Sequence, residues 1–178
     1  MMSDSSRARK LTHTGLYLAL CILLPLGLHQ LGPLMGRVWL PMHVPVLLAG
    51  FLVGPLSGLV VGLLAPTLSH LLIAMPPGYA VPLMSLELPI YGLIAGMAYM
   101  RLRLNIYIAL LAAMILGRIA FGLGLFMLGM FMELPYDVAF FFSAAGPILT
   151  GLPGMAVQIV VIPVLVASVK RRRRLGRL

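Results

Sequence analysis

Residues 55–75 read PLSGLVVGLLAPTLSHLLIAM, a run of 21 residues without a Lys, Arg, Asp or Glu. At 1.5 Å of rise per residue such a run makes a helix about 30 Å long, the thickness of a bilayer's hydrocarbon core. The rest of the chain repeats the pattern. Leu11–Leu31, Val81–Met100, Tyr107–Phe131 and Pro147–Val169 are comparable stretches, and Met42–Gly54 is a shorter one of 13 residues. Composition agrees: 61% of the 178 residues are hydrophobic and 10% charged, against about 45–50% and 25% in a soluble domain. The chain therefore reads as an all-α integral membrane protein, a six-helix transmembrane bundle.

The short second stretch tests that count, because a tilted or broken helix buried in the bundle would leave five crossings. Charge favours six. With six crossings the N-terminus, the Arg101–Asn105 loop and the tail share one side, which collects Arg7, Arg9 and Lys10, Arg101 and Arg103, and Lys170 to Arg174 with Arg177. The other side keeps Arg37, Glu133 and Asp137. Basic residues gather in cytoplasmic loops, so both termini are expected to be cytoplasmic: a basic segment 1–10, a membrane domain 11–169 and a basic tail 170–178. The net charge of +9 is thus split between chain ends and one loop rather than lining a face for nucleic acid. The basic residues ahead of Leu11 also permit a signal peptide, but the apolar run is long and no A-x-A-like cleavage site follows it.

Glycines indicate how the helices pack. Gly50, Gly54, Gly58 and Gly62 recur every four residues and Gly92 and Gly96 repeat the interval, placing small surfaces on one helical face. At Gly54-Pro55 a new helix is expected to start, since proline lacks the backbone donor that a helix interior needs. Gly146-Pro147 opens the last stretch in a similar way.

Catalytic and nucleotide motifs are missing. Neither Lys10 nor Lys170 follows glycine, so there is no phosphate-cradling G-x-x-x-x-G-K-[ST] loop; H-E-x-x-H and G-x-S-x-G are absent too. The single cysteine, Cys21, excludes an internal disulfide and a Cys-based zinc cluster. Nothing singles out Ser57, Ser69, Ser85 or Ser143 as a nucleophile. No catalytic residue, metal site or cofactor is expected.

What remains is a short list of polar residues inside the spans, where they are costly and face a cavity or a partner. His29, His43, His70 and Glu87 come from four different stretches and all fall in the outer third of the bundle. Each histidine alone also suits interfacial snorkelling or a single helix-helix hydrogen bond. Arg118 is the deepest charge, roughly 16 Å from the cytoplasmic end and roughly 20 Å below the outer surface, against about 9 Å for Glu87. Three partners are open for it: Glu87 itself, carbonyls freed near a proline, or an anionic ligand above it.

The residues then match a pattern. Met42 to Phe51 (MHVPVLLAGF), Gly54-Pro55-Leu56-Ser57-Gly58, Pro66-Thr67-Leu68-Ser69-His70 and Met75-Pro76-Pro77 resemble the substrate-binding S components of energy-coupling factor (ECF) vitamin transporters. Glu87-Leu88, Tyr91-Gly92-Leu93, Gly117-Arg118, Gly151-Leu152-Pro153-Gly154, Gln158 and Ile162-Pro163 extend the similarity from Leu11 to Val169. The resemblance implies a multi-pass protein of the bacterial cytoplasmic membrane that captures a water-soluble vitamin from outside and docks on a coupling subunit driven by two ATPases. It also implies that Gly32–Pro41, with Arg37 and Trp39, and Pro76–Ala80, with Tyr79, cover the site. Small residues four apart on the first helix, here Gly15 and Ala19, would dock the partner. The central block is nearest to pantothenate-type S components; cobalamin, folate, niacin and queuosine precursors remain open. A reading from another class is a small membrane scaffold whose basic tail recruits partners or anionic lipid. It would have the same spans and no cavity.

Overall fold

The computed structural model describes residues 4–30, 32, 35–131, 133–135, 138–143 and 146–175, with the side chains of 4–6, 29, 138 and 173–175 outside that description. All described secondary structure is helical. The elements run α1 (Asp4–His29), α2 (Met35–Trp39), α3 (His43–Leu52), α4 (Pro55–Ile73), α5 (Ala80–Gly96) continued by a π-helical turn (Met97–Arg101), α6 (Ile106–Gly129), α7 (Val138–Phe142), α8 (Pro147–Thr150) and α9 (Leu152–Leu175). Among the described residues, six stretches are long and apolar enough to cross a membrane. Arg7, Arg9 and Lys10 lie within α1, and Lys170 to Arg174 within α9.

The short second stretch gains its length from α2. Met35–Leu52 is an 18-residue span, broken at Leu40–Met42, where Leu40 has φ 51°. The last stretch is broken as well: α8 ends after one turn, and α9 starts afresh past Gly151.

Between α3 and α4 the chain reverses at Gly54, whose φ of 140° is open only to glycine. Its N–H donates to Ala49 O at 3.0 Å, closing α3, while Pro55 supplies the first residue of α4. The reversal brings the four-residue glycine ladder of α3 and α4 against the glycines of α5. A Cβ at Gly62 would lie 2.5 Å from the Leu88 backbone, and one at Gly96 2.6 Å from Pro55. Gly58 and Gly92 face each other backbone to backbone in the same seam. At the end of the seam nearer Arg101, Tyr99 packs edge-on to Phe51 at 5.3 Å and takes a 2.7 Å hydrogen bond from Lys170 Nζ of α9.

Helix α1 is attached differently. Thr14 Oγ1 donates to Ser57 Oγ at 3.0 Å and Cys21 is fully buried, but Leu11, Leu16, Leu23 and Leu24 are exposed and nothing lies within 4 Å of a Cβ built on Gly15.

Candidate ligand-binding cavity

Described residues between α1 and α3 (Gly36, Arg37, Leu40), between α4 and α5 (Met75, Pro76, Pro77) and between α6 and α9 (Phe140, Pro147, Thr150) come together at one end of the bundle. They surround a cavity of about 440 Å³, within the usual range for a small-molecule site. Its lining follows helical spacing. Ala80, Leu83, Met84 and Glu87 of α5 line it at intervals of three and four, as do Arg118, Phe121 and Leu125 of α6.

A buried charged cluster forms the floor. Arg118 Nη1 donates to Glu87 Oε1 at 2.9 Å, and His43 Nε2 approaches the same oxygen at 3.5 Å. His43 and Glu87 are each 2% exposed. Two features place Arg118 there. Gly117, one residue earlier, leaves room for the Tyr91 ring, into which any Cβ would run, so α6 can come close to α5. The Tyr91 ring in turn stands edge-on to His43 at 4.8 Å. On the far side a Cβ at Gly151 would lie 2.8 Å from Arg118 Nη2, so the α8–α9 turn packs its bare backbone on the guanidinium.

Of the three partners open to Arg118, the first is therefore realised. The depth gap shrinks because α6 ends at Gly129 and α5 begins at Ala80. Counted from those ends, the two residues lie about 16 Å and about 10 Å deep, a difference that two long side chains span. Arg118 Nε and Nη2 remain buried without a hydrogen-bond partner, as does His43 Nδ1.

At the mouth, Arg37 Nη2 donates to the Tyr79 hydroxyl at 3.1 Å, joining the α2 segment to the Met75–Tyr79 loop. Both side chains line the cavity. His70 does not reach it: its Nδ1 donates to Pro76 O at 2.7 Å and holds that loop from behind. Trp39 also faces elsewhere, with Nε1 on Met35 Sδ at 3.3 Å. The His29 side chain and Asp137 lie outside the described residues. Thr150, Phe121, Phe140 and Met84 join the lining without having been singled out in the sequence. Only spacing from Glu87 and Arg118 gives Met84 and Phe121 away; Thr150 and Phe140 depend on the break before α9. Among the described residues, no group of three or more His, Cys, Asp or Glu side chains could hold a metal ion.

A family model described as the substrate-specific component of ECF transporters matches residues 9–166. The chain belongs to that family. No curated protein and no solved structure matches it. The S component is accordingly a multi-pass membrane protein, the substrate-binding subunit of a transporter rather than an enzyme.

Proposed function

We propose that this S component captures a carboxylate-bearing, water-soluble vitamin or vitamin precursor on the outer side of a bacterial cytoplasmic membrane. It then passes the ligand to an ECF coupling subunit driven by two ATPases. The observation that carries this reading is the donor chemistry of the cavity. Arg37 and Arg118 are both among the described lining side chains, and at the floor Arg118 keeps two buried guanidinium nitrogens, Nε and Nη2, without a hydrogen-bond partner beyond its bond to Glu87. A carboxylate is the acceptor best matched to a guanidinium.

The proposed contacts are Arg118, Glu87 and His43 at the floor and Arg37 and Tyr79 at the mouth, with His70 and Trp39 supporting the surrounding segments. Pantothenate, towards which the central block points, has the required carboxylate and is the first ligand to test. Both termini are assigned to the cytoplasm, and Gly15 with Ala19 to the face that meets the coupling subunit. Both Gly15 and Ala19 are exposed.

Mass spectrometry of small molecules retained by the purified protein tests the reading directly. A retained carboxylate is expected, whereas no retained molecule together with no thermal shift on adding carboxylate vitamins would overturn the reading. A reporter fused after Leu178 is expected to work only in the cytoplasm. Activity outside would overturn the six-crossing topology.

A further inference from the structure

Helix α4 runs from Pro55 to Ile73, just past which Met75, Pro76 and Pro77 line the cavity, so Pro55 marks the other end of the bundle. Three ties gather further segments there. Thr14 of α1 donates to Ser57 Oγ, a Cβ on Gly96 would meet the Pro55 backbone, and Lys170 Nζ of α9 both donates to the Tyr99 hydroxyl and lies 4.1 Å from the centre of its ring. Arg7 and Arg9 stand within two helical turns of Thr14, Arg101 and Arg103 follow Tyr99, and Arg171 and Arg172 follow Lys170. All six are exposed. The stretches 7–14, 97–105 and 165–172 contain no Asp or Glu, and among the described residues no ion pair engages these six guanidinium groups.

Exposed apolar side chains stand beside the arginines. Leu11 is 75% and Leu102 65% exposed, and Leu102 and Leu104 alternate with Arg101 and Arg103 along the chain. Tyr107, also exposed, opens α6 next to that loop, and tyrosines of membrane proteins concentrate at headgroup level. Water alone leaves these leucines unburied, and hydrocarbon alone strands the arginines. A layer with phosphate above and acyl chain below satisfies both, because an arginine lays its apolar stem on hydrocarbon and sends its head to the polar side.

From this juxtaposition we infer that the end of the bundle away from the cavity is a binding surface for anionic phospholipids, their phosphates on the arginines and their acyl chains against Leu11, Leu102 and Leu104. The inference depends neither on what the cavity holds nor on which side of the membrane this end faces. A guanidinium grips a phosphate through paired donors, and one Lys or Arg near an anionic surface strengthens attraction about fivefold.

Native mass spectrometry tests this on the purified full-length protein, released from nanodiscs of equimolar phosphatidylglycerol and phosphatidylcholine with identical acyl chains. Phosphatidylglycerol is expected to be retained at least about fivefold over phosphatidylcholine. Combining Arg101→Gln, Arg103→Gln, Arg171→Gln and Arg172→Gln is expected to bring that preference close to one, while Lys at the same four positions keeps most of it. Equal retention of the two lipids by the unaltered protein would overturn the inference. An unchanged preference in the Gln variant, or the same loss in the Lys variant as in the Gln variant, would overturn it too. So would displacement of phosphatidylglycerol by millimolar glycerol 3-phosphate, which would assign the arginines to a free phosphate ester instead.

Discussion

Helices α1 and α5 are neighbours of the same α3–α4 pair, yet they are held in opposite ways. In its most apolar stretch 11% of the residues of α1 are buried, against 44% for α5 with its π-helical turn. Helix α5 meets α3 and α4 through glycines at backbone contact and reaches α6 through a buried ion pair. Helix α1 offers a small-residue face at Gly15 that touches nothing. Lipid tails are as apolar as leucine, so exposure to lipid costs α1 little, while the seam around α5 depends on close approach and on satisfied polar groups. One helix therefore organises the cavity end, and the other leaves its small-residue face at Gly15 uncovered.

The comparison breaks most severely at Glu87. Glu87→Leu leaves the Arg118 guanidinium buried without its counter-ion and is expected to cost about 3–5 kcal/mol of stability, read by denaturant unfolding in detergent. The double variant Glu87→Leu with Arg118→Met is expected to recover most of that loss. If the single and double variants are equally unstable, the ion pair is not what holds α5 to α6.

Next comes the glycine seam. Gly58→Leu forces a side chain into the Gly92 backbone and is expected to destabilise the bundle by about 3 kcal/mol. Gly15→Ala, which meets nothing, is expected to change stability by less than about 0.5 kcal/mol. Equal effects would erase the distinction between the two helices.

Arg118→Met keeps the length of the side chain and removes its charge. Binding of an anionic ligand is expected to weaken by about 1.5–3 kcal/mol in calorimetry on the folded variant. Unchanged affinity would make Arg118 a structural partner of Glu87 alone.

The smallest effect on stability and binding is expected from Gly15→Leu with Ala19→Leu. Bulk on that face is expected to abolish vitamin uptake by cells while ligand affinity of the isolated protein stays within about 0.5 kcal/mol. Parallel loss of binding would assign the face to the fold, and normal uptake would place docking elsewhere.

Much of this architecture was legible in the sequence because membrane spans are written in long uncharged runs, and the four-residue glycine intervals at 50–62 and 92–96 announced close helix packing, though not which helices would meet. The break at Leu40 was not legible, since a leucine at φ 51° is imposed by packing around it rather than by local preference. The π-helical turn at Met97–Arg101 left no mark in composition either. Of the polar residues, His43, Glu87 and Arg118 converge, whereas His70 and Trp39 lie on the same end but turn to other partners. Depth in the bilayer follows from counting residues; direction follows from side-chain contacts that counting does not contain.

The hydrogen bond between Arg37 and Tyr79 bears on residence time. It is solvent-exposed, so water competes for both groups and the bond is worth about 1 kcal/mol net. Thermal fluctuation breaks a tie of that strength readily. This bond by itself is a turnstile rather than a lock, and any firmer closure of the mouth falls to the further interactions that Arg37 and Tyr79 each make.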